Sequence, residues 1–172
     1  STWLLAKPRN HIRDFTVTPR PVDKNNLKGD WELEVHLSGS PRWALTSNSV
    51  WMRASLYTMD GEPVNIEGSR HSTTLIMDFR YDYDSKEMSG VGILRIHSPQ
   101  LWSAEAPNCY KLVLNTTSEY VSCLVGFRTS EVRDGRYYFN GKKIKFRGVN
   151  RSESDPMYGH YVPRERHLQD IR

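Results

Sequence analysis

From Trp31 to Leu37 apolar residues occupy every second position, with Glu32, Glu34 and His36 between them. Successive side chains of a strand point to opposite faces, so this period predicts a half-buried β-strand with Trp31 on its core side. The same reading predicts strands over 49–57, 73–79, 90–97, 110–115 and 120–128. Polar, turn-forming clusters at 23–29, 60–63, 82–87 and 116–119 separate them. Within these, Asp60-Gly61 marks a tight turn, because glycine accepts positive φ without a Cβ clash. Six or seven short strands at this spacing predict an all-β, antiparallel β-sandwich. The chain shows no internal repeat and no low-complexity tract.

The pattern changes after Arg128. Residues 137–139, Asn140-Gly141 and 142–147 predict a small hairpin closed by a type I′ turn. An irregular stretch over 151–161, containing Pro156 and Gly159, leads to a helix over 163–172. Pro163 suits its first turn, where a missing N–H is no loss, and Leu168 and Ile171 begin an apolar stripe. A helix of three turns or fewer is marginal in water without something to pack on. No C-capping glycine follows it, and the sequence opens on Ser1 rather than Met. The chain is therefore expected to be a piece of a longer protein, ending inside a structural element.

Charge sharpens this division. The chain has 172 residues and a net charge of +4; residues 127–172 carry +5 and the remainder −1. The cations Lys142, Lys143, Lys145 and Arg147 alternate with apolar residues in strand fashion. That suits a solvated strand face or a surface meeting an acidic partner, and argues against nucleic acid, which needs a basic face with stacking aromatics. No apolar run approaches the ~18–20 residues that a membrane-crossing helix needs. The two cysteines, Cys109 and Cys123, flank one predicted hairpin and read as reduced, partly buried thiols. They leave the compartment open between cytoplasm and periplasm.

Candidate chemistry is sparse. The six histidines are scattered, and Pro163 between His160 and His167 breaks any shared metal-binding helical face. Asp82, Asp84 and Glu87 gather carboxylates that a hard cation favours, but without the glycine and ligand register of a calcium loop they read as a solvated turn. Asn115-Thr116-Thr117 and Asn150-Arg151-Ser152 match the N-glycosylation pattern. Trp43 and Trp51 are candidates for stacking on a sugar ring. Trp43 follows Pro41 in a loop-like stretch, whereas a core tryptophan would contribute buried area instead.

Leu101-Trp102-Ser103-Ala104-Glu105-Ala106-Pro107-Asn108-Cys109-Tyr110 resembles the "LWS-x-E-x-PNLY" segment of glycoside hydrolase family 2, specifically its lac-type β-galactosidases. Val125-Gly126-Phe127-Arg128, Asn140-Gly141-Lys142 and Arg147-Gly148-Val149-Asn150-Arg151 follow in the family's order. The opening Leu4-Leu5-Ala6-Lys7-Pro8 and Ile12-Arg13-Asp14-Phe15 resemble the start of the same region. The resemblance implies that residues 1–9 are a linker from a preceding domain and 10–128 an immunoglobulin-like sandwich. Residues 129–172 would then be the truncated entry to a (β/α)8 barrel.

The chemistry so implied is retaining hydrolysis of β-galactosides by two glutamates of the barrel, with Mg²⁺ and Na⁺ held by the longer, oligomeric enzyme. Those groups lie downstream of residue 172, so this chain is expected to be a non-catalytic scaffold whose partners are the remaining domains. Asn150, Arg151 and Glu153 would approach the substrate. Many members continue "NRHE" here, and Ser152 replaces that histidine. Two other readings stand beside this one. One is a carbohydrate-binding sandwich using Trp43 or Trp51, with a β-glucuronidase or β-mannosidase parent as the alternative to the galactosidase that the motifs favour. The other is a fibronectin-like adhesion module, which has no use for the 147–151 motif.

Overall fold

A computed structural model describes residues 2, 4–8, 11–39, 49–67, 73–82 and 87–171; for 49–51, 78, 79 and 87 it describes the backbone alone. Seven strands, β1 (Ile12–Pro21), β2 (Trp31–Gly39), β3 (Ser49–Tyr57), β4 (Thr74–Asp82), β5 (Glu87–Ile96), β6 (Tyr110–Asn115) and β7 (Tyr120–Val125), pair antiparallel throughout. Their order is β1-β2-β5-β4-β3-β6-β7. β4 changes partner along its length. Thr74 to Arg80 pair with β3, whereas Arg80, Tyr81 and Asp82 pair with Ser89, Met88 and Glu87 of β5. The hydrogen-bonded ladder thus folds over at β4 into two layers, the sandwich that the alternating pattern predicted.

The alternation sets the core. Trp31, Leu33, Val35 and Leu37 of β2 are all buried, and Met52, Ala54 and Leu56 of β3 and Leu112 and Leu114 of β6 face them. Each large apolar side chain so buried contributes about 1.5–3 kcal/mol. Edge-to-face contacts link Trp31 to Phe127 (5.7 Å) and Phe127 to Tyr110 (5.3 Å), tying the start of β2 to the end of β7. The Trp31 indole N–H donates to the Leu27 carbonyl at 2.9 Å, so its polar atom is satisfied inside the core.

Some boundaries differ from expectation. β1 was absent from the predicted strands because Pro19, Pro21 and its charges mask a weak alternation of Phe15 and Val17. It is an edge strand bonded only to β2, the one place in a sheet that tolerates proline. β7 stops at Val125, short of the predicted residue 128, and Asp82 and Glu87 belong to strands rather than to the predicted turn.

Beyond Arg128 a second, three-stranded sheet of order β10-β9-β8 follows: β8 (Ser130–Arg133), β9 (Arg136–Phe139) and β10 (Lys142–Lys143). Asn140-Gly141 forms the predicted type I′ turn, with φ of 47° and 72°. Asp134-Gly135 forms another, at 50° and 67°, and creates an additional hairpin. The predicted strand over 142–147 pairs only through Lys143, although Ile144 N–H still donates to Tyr137 at 3.0 Å and the Phe146 ring lies 4.8 Å from Tyr137. α1 (Arg164–Ile171) opens where expected, the Pro163 carbonyl accepting from Arg166 and His167. It buries none of its residues.

Candidate functional site

The segment after β5 turns sharply: Ser103 N–H donates to the Ala106 carbonyl (2.9 Å) and Ala106 N–H to the Ser103 hydroxyl (3.0 Å). This turn lays Trp102 against the strand exit after β7, where its N–H donates to the Phe127 carbonyl at 2.9 Å. Gly126 makes that approach possible. A Cβ at Gly126 would sit 2.9 Å from the Trp102 Cβ, closer than any real contact allows. The Arg128 guanidinium lies 5.1 Å over the indole, and the Phe139 ring meets it edge-on at 5.7 Å. Asn140 completes the joint. Its Oδ1 accepts from Thr129 N–H (2.9 Å), its Nδ2 donates to the Trp102 carbonyl (3.0 Å), and its own N–H donates to the Thr129 carbonyl (3.0 Å). The Tyr110 hydroxyl fixes the other end of the segment by accepting from Gln100 N–H at 2.9 Å.

Three motifs far apart in sequence, at 101–110, 125–128 and 140–142, therefore meet at one residue, Trp102. That Gly126, Arg128, Phe139 and Asn140 close on the same residue, Trp102, does not follow from the sequence, although each stands in or beside a motif already singled out. The joint holds rather than reacts: it joins the three-stranded sheet to the sandwich through hydrogen bonds, ring contacts and one stacked cation.

The candidate substrate residues lie apart from it. Asn150, Arg151 and Glu153 sit on an exposed segment outside the strands and the helix. Arg151 is turned onto α1, where its guanidinium pairs with Asp170 and lies 3.2 Å from His167 Nδ1. Trp43 lies outside the described residues. Trp51 is placed on β3 opposite Asp78, by backbone alone. Asp84 likewise falls outside, and among the described residues no three His, Cys, Asp or Glu side chains gather to hold a metal ion. Lys142, Lys143, Lys145 and Arg147 are exposed, as are Phe146 (72%), Val149 (93%), Leu168 (43%) and Ile171 (82%).

Three groups among the described residues are shifted from their ordinary ranges by their surroundings, Arg95 upward through its hydrogen bond and ion pair with Glu32. The Glu34 carboxyl on β2 is held below the usual carboxylate range, first by its hydrogen bond from His36 and then by the nearby Arg20 charge. Burial pushes the Cys123 thiol up, and both cysteines are free and half-buried, as expected.

Comparison with known proteins bears on the whole chain. The family model for glycosyl hydrolases family 2 matches residues 10–128, and that family's TIM barrel domain matches residues 130–172. Among solved structures, a Bifidobacterium dentium β-glucuronidase complexed with coumarin-3-O-glucuronide superimposes with a TM-score of 0.71 at 17% identity, over 94% of this chain and 25% of that one. A Ruminococcus gnavus β-glucuronidase gives 0.66 at 16% identity (95% and 24%), and one from Lactobacillus rhamnosus 0.65 at 18% (95% and 23%). The chain thus spans about a quarter of the length of these structures. At such identities the likeness is one of fold, but the family models cover the sandwich and the segment beyond it alike: the chain belongs to glycosyl hydrolases family 2.

Proposed function

We propose that this chain is the non-catalytic sandwich and barrel entry of a longer, retaining β-galactosidase, with residues 10–128 as scaffold and 129–172 as the first part of the barrel. The observation that carries the reading is the joint at Trp102. A sandwich that only bound a ligand has no need to lock a projecting hairpin in place. One that must present a barrel's first strand at a fixed angle does. The exposed Phe146, Val149, Leu168 and Ile171 are the surface such a barrel would cover.

In the longer enzyme, one carboxyl would protonate the glycosidic oxygen and the other attack the anomeric carbon, about 5–5.5 Å apart. This chain's part is placement. Asn150 and Glu153 would approach the sugar from the end of the first barrel strand, with Arg151 engaged on α1. Ser152 offers a hydroxyl where many relatives have an imidazole. The Mg²⁺ and Na⁺ of such an enzyme, its oligomeric contacts and the acidic partner of the basic 142–147 stretch belong to the longer assembly.

A β-glucuronidase parent is the second reading, favoured by the structural neighbours, which are β-glucuronidases. The motif at 101–110 is what supports galactoside over glucuronide. A third, a sugar-binding module, would need Trp43 or Trp51.

Two measurements separate these readings. The isolated chain should self-associate and bind an apolar dye, and Phe146→Ser with Ile171→Ser should reduce both. A strictly monomeric, dye-silent chain, or saturable galactose binding lost in Trp43→Ala, would overturn the scaffold reading. Relative hydrolysis of nitrophenyl β-galactoside and β-glucuronide by the longer enzyme decides the parent.

A further inference from the structure

A cleft of about 500 Å³ opens between the end of β1 with its following turn and the strand entering the second sheet. Both walls are fixed. On one side Leu27 is held through its carbonyl by the Trp31 indole, and backbone bonds from Asn26 to Asp23 (3.1 Å) and Gly29 to Asn26 (3.0 Å) close the turn. On the other, Thr129 is tied to Asn140, and Asn140 to Trp102. A site already formed in the free protein loses little to ordering when it binds.

Its charge is unbalanced. Lys24, Arg128 and Arg133 line the cleft against a single carboxylate, Glu131, which lies 3.8 Å from Arg133. Among the described residues neither Lys24 nor Arg128 has a carboxylate within salt-bridge reach. Arg128 is stacked on Trp102 at 5.1 Å and Arg133 on Tyr138 at 4.3 Å. Stacking occupies the guanidinium faces and leaves their N–H edges for a planar anion, the geometry that suits a carboxylate. The cleft also continues. A second cavity of about 270 Å³ shares Pro19, Arg128 and Ser130 with it and runs on between Val17 and Leu124. The groove thus carries its unpaired cations at one end and the apolar side chains of Val17 and Leu124 at the other.

We infer that this groove binds a small amphipathic carboxylate, its anionic head on Arg128 and Lys24 and its apolar body between Val17 and Leu124. The site is independent of which glycoside the longer enzyme cleaves, and it is distinct from the 150–153 segment.

The test is an amide-shift titration of the chain with three probes: 2-naphthoate, the neutral 2-naphthamide, and acetate as a head without a body. Naphthoate should shift the Asn25, Val125 and Ser130 amides saturably, with the other two probes at least about ten-fold weaker. Lys24→Gln and Arg128→Gln should each weaken naphthoate about ten-fold, whereas Phe146→Ser should not. If Arg128→Gln loosens Trp102 and broadens the spectrum, Lys24→Gln on its exposed turn decides alone. Equal binding of naphthoate and naphthamide, no effect of Lys24→Gln, or shifts centred on Phe146 and Val149 would overturn the site. None of these results bears on self-association, so the scaffold reading stands or falls separately.

Discussion

Asn140 concentrates the joint's energetics in one side chain. It holds a positive φ of 47°, where asparagine is tolerated and alanine is strained by about 1 kcal/mol. Its side chain also makes two hydrogen bonds, from Thr129 N–H and to the Trp102 carbonyl, each worth about 0.5–1.5 kcal/mol net. Asn140→Ala loses all three terms, about 2–4 kcal/mol together. Asn140→Gly loses the bonds but relaxes the backbone, so it should fall about 1 kcal/mol short of the alanine. Asn140→Asp keeps the acceptor and loses the donor, and lies below both. The loss belongs to the hairpin rather than to the sandwich core, so native-state hydrogen exchange is the assay. At about 1.4 kcal/mol per decade, β9 amides should exchange roughly thirty- to a thousand-fold faster in Asn140→Ala, with the β2 amides nearly unchanged. Equal rates for the glycine and alanine variants would refute the strain term. Equal acceleration of β2 and β9 would refute the idea that this residue couples a separable unit.

Gly126→Ala forces a Cβ against the root of the Trp102 side chain, which has no flexible end to yield, and should lower stability by about 1–3 kcal/mol in urea unfolding, the same midpoint as wild type counting against the packing. His36→Ala removes the first cause of the low Glu34 titration, so that carboxyl should rise toward its ordinary range when followed by carbon chemical shift. Because the folded value is depressed, the stabilisation by Glu34 is present above the ordinary carboxylate range and lost as pH falls through the lowered value. For Cys123 the sign is opposite: the unfolded thiol ionises first, so stability falls as pH climbs from the ordinary thiol range through the raised value, and Cys123→Ser should remove that slope in pH-dependent unfolding.

The sandwich was legible wherever one strand face is buried and the other wet. β2, β3 and β6 show this alternation, and their residues fell in register with it. β1 was not legible, because an edge strand can carry prolines and charges that a central strand cannot. β8 was missed although Asp134-Gly135 announced its turn, since all four of its residues are exposed and show no alternation. The joint marks a different limit. Its residues stood out as motifs, but which indole they would surround depends on three segments meeting in space, and no local pattern encodes that. Arg151 meets the same limit: its motif says nothing of Asp170, nineteen residues on, with which its guanidinium pairs.

The change of partner along β4 has a mechanical consequence. The chain enters the sheet at β1 and leaves it at β7, the two ends of the strand order, so tension between whatever precedes and follows it must cross the ladder strand by strand. The rung joining the two layers is short among the described residues, carried by Arg80, Tyr81 and Asp82 against Ser89, Met88 and Glu87. Under load that rung is where the ladder should part first, leaving the two layers held by their shared core, the Trp31–Phe127 contact included, rather than by backbone hydrogen bonds.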